Sequence, residues 1–462
     1  MFEASVYSAR RAALKAATGS GLILLPGNTE VPFNYPANAY HFRQDSDFLY
    51  FFGHDIPGLA GVIDVDQDQE VLFGDDLEID DIIWMGPQEE MASKAARVGV
   101  KHAQPFAKLA EVLAEAKKKG RTIHFLPPYR AENKLLLFRL LGIHPDEQKG
   151  SASVALIRAV VNLRSVKDEL EILELEKAAA IGYEMHTTAM KLAVPGALEM
   201  EIAGIMEGIA LKHGGAVSFP IILSQNGETL HNHDHSQVLQ EGRLLLVDAG
   251  AEAPSHYASD YTRTIPVGGK FTTRQREIYE IVLKANNSAF KRIKPGIPYK
   301  EIHLHACTKI AAGLTELGLM KGEPEAAVAA GAHALFLPHG LGHMMGLDVH
   351  DMEGLGENYV GYNEKMERSK QFGTAYLRMA RELEPGFVIT NEPGIYFIPA
   401  LIDLWKKEKK FPQFINYDLV ETYKGFGGIR LEDDILVTPD GCTFIGKRVP
   451  VTPEQIEEVV GR

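Results

Sequence analysis

Gly428-Ile429-Arg430-Leu431-Glu432-Asp433-Asp434-Ile435 reads as a strand with two unlike faces. Side chains alternate along a strand, so Ile429, Leu431 and Ile435 share an apolar side, and Arg430, Glu432 and Asp434 share the other. Three charges opposite a largely apolar face suggest the wall of a cavity. Upstream, further acidic and histidine sites recur at strands or glycine-rich turns. Asp248 closes the apolar run Leu244-Leu245-Leu246-Val247 before Ala249-Gly250. Asp260 stands in Ser259-Asp260-Tyr261-Thr262-Arg263-Thr264, a second strand with Asp260, Thr262 and Thr264 on one face. A histidine group follows in Pro338-His339-Gly340-Leu341-Gly342-His343, with His350 in Asp348-Val349-His350-Asp351. Glu392 stands in Thr390-Asn391-Glu392-Pro393-Gly394.

Taken singly, these residues say little. An acid at a strand end is usually a cap or a solvated turn, and Glu392 before Pro393-Gly394 can simply open a turn. His339 and His343 have the spacing of a helical zinc-protease motif. Gly340, Gly342 and Gly346 disfavour a helix there, and no glutamate follows His339, so a loop is expected. As a set, four carboxylates and one imidazole make a hard, oxygen-rich donor group that suits Mn²⁺-like ions. The carboxylates would repel one another unless divalent cations neutralised them. Two ions ~3.5–4 Å apart can hold a hydroxide nucleophile between them.

The 462 residues are 45% hydrophobic, ample for two or three domains. A formal net charge of −14 offers no basic surface for nucleic acid. No apolar run approaches the ~18–20 residues of a membrane span. The start, with Arg10 and Arg11, lacks the apolar stretch of a secretory signal. Cys307 and Cys442 are too few for a disulfide framework, and as reduced, structural residues they suit the cytoplasm. The first part reads as mixed α/β. Gly21-Leu22-Ile23-Leu24-Leu25-Pro26, Asp47-Phe48-Leu49-Tyr50-Phe51-Phe52-Gly53 and Gly61-Val62-Ile63-Asp64-Val65 are expected strands, and residues 106–120 an expected helix. A boundary is expected near residues 162–167, with Ser165 capping a helix that ends before Pro195-Gly196. Further helices are expected over residues 199–213 and 273–294.

These motifs, in this order and spacing, resemble those of the pita-bread metallopeptidases, which include aminopeptidase P and prolidase. Besides the stretches above, Leu347-Asp348-Val349-His350-Asp351 and Glu392-Pro393-Gly394-Ile395-Tyr396 match. The likeness covers the chain from about Val166 onward. It reaches more weakly into the first part through Phe42-Arg43-Gln44-Asp45-Ser46-Asp47-Phe48 and Ile83-Trp84-Met85-Gly86. The resemblance implies a chain of α/β (α+β) class. Residues 1–165 would form a creatinase-like α/β domain, and 166–462 a pita-bread catalytic domain with a curved antiparallel sheet under helices.

Carried over residue by residue, the resemblance implies five metal ligands: Asp248, Asp260, His343, Glu392 and Glu432. Asp260 and Glu432 would bridge two divalent ions, most simply Mn²⁺, and Glu392 would also take a proton from the attacking water. His231, His339 and His350 match histidines that steady the substrate and the tetrahedral intermediate, and Arg430 an arginine of the same cavity. His233 and His235 have no counterpart and read as parts of a solvated loop. Asp248 and Asp260 lie twelve positions apart, where eleven is implied. The turn Ala253-Pro254-Ser255-His256 is expected to absorb the extra residue. The implied substrates are Xaa-Pro dipeptides or peptides with proline in second position. Arg378, in Tyr376-Leu377-Arg378-Met379-Ala380-Arg381, matches a prolidase arginine that meets the free carboxylate of a dipeptide. The long stretch from Phe397 to Gly427 also resembles prolidase more than aminopeptidase P. Trp84 matches a tryptophan that reaches a neighbouring subunit's cleft, which implies a homodimer or homotetramer; a core tryptophan is the competing reading. A metal-free pseudo-peptidase acting as a binding module is the alternative of another class, and the presence of all five candidate ligands weighs against it.

Overall fold

A computed structural model describes residues 2–461. The chain divides into two compact units. One runs to Arg164 and takes in Gly354–Tyr359; the other holds Ser165–Glu353 and everything from Val360 onward.

The first unit is built on five strands: β1 (Leu22–Pro26), β2 (Ala60–Asp64), β3 (Gln69–Phe73), β4 (His102–Gln104) and β5 (Ile123–His124). They lie in the order β4-β3-β2-β1-β5. β1, β2 and β3 pair antiparallel, while β4 and β5 join parallel at the two edges. The expected strand over residues 47–53 is instead a helix, Ser46–Phe52. The Asp45 side chain accepts the Phe48 N–H and caps its start, and Gly53, left-handed at φ 66°, ends it. Every residue of this helix is buried, so its aromatic run resembles a buried strand in composition, and only the cap and the glycine mark it as helical. The expected helix over 106–120 forms at Lys108–Lys118, with Leu109, Leu113 and Ala116 turned inward.

The second unit opens with the helix Glu169–Leu192. Its cap is Asp168, in a reciprocal capping box with Glu171. Ser165, the expected cap, ends the preceding helix Val154–Ser165, and its hydroxyl oxygen accepts from Arg381. Helices Glu199–Lys212 and Thr273–Phe290 form where expected. The eight strands are β6 (Ile222–Ser224), β7 (Leu244–Ala249), β8 (Tyr261–Pro266), β9 (Val388–Asn391), β10 (Gly394–Tyr396), β11 (Gly428–Arg430), β12 (Asp433–Val437) and β13 (Cys442–Phe444). All their pairings are antiparallel, in the sets β6-β7-β8, β10-β11 and β13-β12-β9.

The strand read over residues 429–435 is interrupted. β11 and β12 pair with β10 and β9 in a single continuous register, Gly394 opposite Arg430 and Asn391 opposite Asp433. Both sides of that ladder break at Glu392-Pro393 and Leu431-Glu432. Pro393 has no N–H to give the ladder, and its carbonyl still accepts from the Leu431 N–H at 3.2 Å. At the gap the Glu432 N–H turns to the Thr262 carbonyl of β8 at 3.0 Å, which ties the second strand pair to the first. The odd-numbered face is the structural one. Arg263 and Asp433 form a fully buried ion pair at 2.6 Å, and Arg448 adds a contact to Asp433 at 2.9 Å. Together the two arginines overcome the burial that would raise the Asp433 carboxyl and hold it below its ordinary value.

Candidate active site

The even-numbered face carries the candidate ligands. β7 and β8 pair in register, with Asp248 opposite Thr262 and Ala249 opposite Tyr261. Glu252 still bridges Ala258 in that register beyond the strands. The turn between them closes on a His256 N–H to Ala253 carbonyl bond of 2.8 Å, with His256 itself left-handed at φ 69°. His256 is thus the residue the turn absorbs. An even separation through an unbroken register leaves Asp248 and Asp260 on one face, so their spacing of twelve suits the site.

Across the second ladder, Glu392 and Glu432 fall opposite each other at the break, because Gly394 faces Arg430 and Asn391 faces Asp433. Like charges directly opposed across a strand pair are destabilising unless something neutralises them. Glu432 accepts from the Thr262 hydroxyl at 2.7 Å, and the Asp434 carboxylate accepts the Asp260 N–H at 2.9 Å. Arg430 donates to the Asp248 carboxylate, to the Thr262 hydroxyl at 3.0 Å and to the Tyr396 hydroxyl oxygen at 2.8 Å.

His343 arrives on a loop, as its glycines require. Residues 341–345 run beside β9: Thr390 N–H donates to the His343 carbonyl at 3.0 Å, and His343 N–H to the Thr390 hydroxyl at 3.1 Å. A Cβ on Gly342 would lie 2.2 Å from the Thr390 carbonyl oxygen, so only glycine permits this approach. The His343 ring sits with Nδ1 2.9 Å from the Met344 carbonyl, which places the proton on Nδ1. Its Nε2 lone pair then faces the Asp260 carboxyl group at 3.4 Å. Asp260, His343 and Glu432 bring ligand atoms within 4.8 Å of one another. One oxygen each of Asp248 and Asp260 is buried without a hydrogen-bond partner among the described residues. An imidazole lone pair turned toward buried carboxyl oxygens that lack partners fits cations. Asp248 and Glu392 lie outside that tight trio but line the same cavity.

The electrostatics agree. Burial, then repulsion from Glu432 and Asp248, raises Asp260 well above the usual carboxylate range. Burial, then Glu392 and Asp248, does the same to Glu432. Burial pushes Glu392 up to about 7, against the pull of Arg430. Burial lowers His339 to about 3, so this ring is neutral. Its Nδ1 lies 2.7 Å from the Gly340 carbonyl and its Nε2 2.8 Å from the Tyr396 hydroxyl. Arg430 donates to that hydroxyl, which in turn donates to Nε2. Desolvation, with the charge of Arg430, lowers His231 at the cavity wall. The His350 ring lies tilted, its centroid 4.2 Å from that of His343, and places Nδ1 2.5 Å from Glu353.

The cavity has a volume of about 910 Å³, and its lining includes His231, His339, His350, Arg378 and Arg430 besides the five expected ligands. Phe219, Phe372, Leu401 and Leu404 supply apolar wall. His233, read as part of a solvated loop, lines it too, while His235 sits 3.1 Å from the Ile221 carbonyl and anchors the loop. Tyr396 is the residue the sequence reading passed over. It shares the strand parity of Glu392, two pairs of residues on, and that parity was the available signal. Trp84 belongs to the first unit, on the helix Ile79–Met85, none of whose residues is buried. At 86% exposure it is not a core tryptophan.

Residues 174–439 match metallopeptidase family M24, and residues 7–124 match the N-terminal domain of aminopeptidase P. The chain is 31% identical to a Homo sapiens Xaa-Pro dipeptidase, over 96% of this chain and 89% of that protein. It is 32% identical to a probable Xaa-Pro aminopeptidase of Uncinocarpus reesii, over 97% and 92%. The structure of Pseudomonas aeruginosa aminopeptidase PepP superposes with a TM-score of 0.81 at 28% identity, covering 99% of this chain and 98% of that one. Zinc-substituted Escherichia coli aminopeptidase P in complex with product gives 0.79 at 28% identity, with the same coverage of 99% and 98%. With its second unit matched by that family and relatives of such identity aligned over nearly the whole length, the protein belongs to metallopeptidase family M24.

Proposed function

We propose that this metallopeptidase hydrolyses the Xaa-Pro peptide bond, using two divalent ions held by Asp248, Asp260, His343, Glu392 and Glu432. The observation that carries the reading is the convergence of two in-register strand pairs, whose four carboxylates meet the imidazole of His343, carried on the loop beside β9, in one cavity. The donor set favours hard ions, Mn²⁺ first. Such a pair, when bound, polarises the scissile carbonyl and lowers the pKa of the attacking water. Glu392, set in the gap of the ladder, accepts that water's proton. His339 is held neutral between the Gly340 carbonyl and Tyr396, and with His231 and His350 it stabilises charge that develops on the carbonyl oxygen. The amide nitrogen of proline carries no N–H, so recognition falls to shape, and the apolar wall of Phe219, Leu401 and Leu404 suits the ring. Cys307 and Cys442 are both free, which suits a cytoplasmic setting. Among the described residues no helix is long and apolar enough to cross a membrane.

Within this activity we favour the dipeptidase. Arg378 lines the cavity, its Nε 3.2 Å from Glu353, where a guanidinium can meet the carboxylate of a C-terminal proline. Arg378→Ala should raise KM for Xaa-Pro dipeptides about 10–150-fold, the value of one charge-assisted hydrogen bond of about 1.5–3 kcal/mol. It should spare tripeptides, whose carboxylate lies elsewhere. The roominess of the cavity supports the aminopeptidase reading, since its volume of about 910 Å³ is near the upper end of small-molecule sites, ~300–1,000 Å³. Equal losses on both substrate lengths, or a wild type that prefers longer peptides, would favour that second reading.

Ile79, Ile83, Trp84 and Met85 are 70%, 70%, 86% and 59% exposed on one short helix. An apolar patch of this kind favours contact with a second copy, and we propose a homodimer or homotetramer in which Trp84 lines a partner's cleft. Trp84→Ala should raise KM several-fold, with light scattering showing an assembly of the wild type. A fully active monomer at assay concentration removes this idea.

A further inference from the structure

Away from the carboxylate site, the helix Tyr299–Glu316 presents His303 and Cys307 one turn apart on a single face. The short 3₁₀ turn Ala332–Leu335 brings His333 against them. All three side chains have zero exposure. Their ligand atoms lie within 4.8 Å of one another. The Cys307 Sγ is 3.6 Å from His303 Nε2 and 3.8 Å from Nδ1. Being nearly equidistant from the two nitrogens, it is held in line by neither. Both ring nitrogens of His333 are buried without a hydrogen-bond partner among the described residues. An imidazole unsatisfied at both nitrogens is rare in a core, and here one of its nitrogens lies within 4.8 Å of a thiol and a second imidazole.

We infer that His303, Cys307 and His333 form a second metal site, distinct from the carboxylate site and selective for a soft monovalent cation of the cuprous class. The donor set decides the class. One thiolate and two neutral imidazoles are soft to borderline ligands, and ligand atoms around a first-row ion sit ~3.3–4 Å apart, as Cys307 and His303 already do at 3.6 Å. Charge decides the valence. Burial alone lowers the His333 imidazole. For His303, burial comes first, followed only by the repulsion of His333, His339 and Lys300. The buried group itself contains no carboxylate. A divalent ion with one thiolate would leave a net positive charge in an apolar core, whereas a monovalent ion leaves none. Binding replaces the thiol proton, so one proton leaves for each ion bound. Mn²⁺ at the carboxylate site has no reason to enter here, and a cuprous ion has little affinity for the carboxylates.

The test uses the manganese-loaded enzyme, prepared once from copper-supplemented cells and once by prolonged anaerobic incubation with Cu(I) against a chromophoric Cu(I) chelator. The wild type should retain about one copper per chain by at least one route, with one sulfur and two nitrogen neighbours by X-ray absorption. Cys307→Ala and His333→Leu should each retain less than a tenth of that copper and keep wild-type peptidase activity. His333→Leu removes two unpartnered buried nitrogens, so it should melt no lower than the metal-free wild type. The inference is overturned by a wild type that holds no stoichiometric copper by either route, by copper without a sulfur neighbour, or by either variant holding copper at the wild-type level. Zn²⁺ taken up in place of Cu(I) would overturn it as well.

Discussion

Glu392→Gln is expected to lower kcat on an Xaa-Pro dipeptide by about 10²–10⁴-fold, the usual worth of a general base, while KM changes little. The amide keeps the shape of the carboxylate and can still present an oxygen to a cation, but it cannot take a proton from water. The position supports this. Glu392 lies in the gap between β9 and β10, with its Oε2 3.7 Å from the Nδ1 of a neutral His339, and burial already pushes it up to about 7. The group therefore holds a proton more readily than an ordinary glutamate. Assayed at saturating Mn²⁺, with circular dichroism matching the wild type, the rate loss reports proton transfer. A variant within tenfold of wild-type kcat would remove Glu392 from that role.

The second large effect is expected at Glu432, which lies opposite Glu392 and within 4.8 Å of both Asp260 and His343. Glu432→Gln should cost more than the ~10–100-fold in activity or metal affinity that loss of an outer-shell partner costs, and at least one metal should be lost on dialysis. Full activity with unchanged metal content would rule the site out. In metal-free protein the same substitution should stabilise, and pH gives the sign. Burial and the neighbouring carboxylates raise Glu432 and Asp260, and Glu392 sits at about 7. A carboxyl raised on folding binds its proton more tightly when folded. It contributes stability below its unfolded value, about 4.3 for a glutamate, and that stability is lost as pH rises through the folded value. The metal-free wild type should therefore melt lower at pH 8 than at pH 5. Glu432→Gln should raise its melting temperature at pH 8 and leave it nearly unchanged at pH 5. A variant that melts lower at pH 8 would show that repulsion at Glu432 is not what limits the metal-free fold.

Much of this site was readable from strand alternation alone. Asp248, Asp260, Thr262, Arg430 and Glu432 are all even-numbered, and two antiparallel pairs in unbroken register keep that parity on one face. The loop nature of His339 to His343 followed from Gly340 and Gly342, because glycine in a helix costs backbone entropy that nothing there offsets. The helix start at Asp168 and the helix over residues 46–52 were misread, for a common reason. Asp45 and Asp168 cap through side chains, and a neighbouring serine or an aromatic run offered an equally good local reading.

Tertiary structure alone decided the rest. Nothing local says that the ladder opens at Glu392-Pro393 and Leu431-Glu432, since the gap depends on Glu432 finding the Thr262 carbonyl across the fold. The choice of His256 as the residue the turn absorbs rests on a pairing that closes only when β7 meets β8. The meeting of His333 with His303 and Cys307 depends on how a 3₁₀ turn packs against a helix. Periodicity along a chain determines which side chains share a face, because alternation is a property of the backbone. Which faces meet is settled by packing between segments far apart in the chain, and there the affinity for metal and the proton affinities of the carboxyls arise.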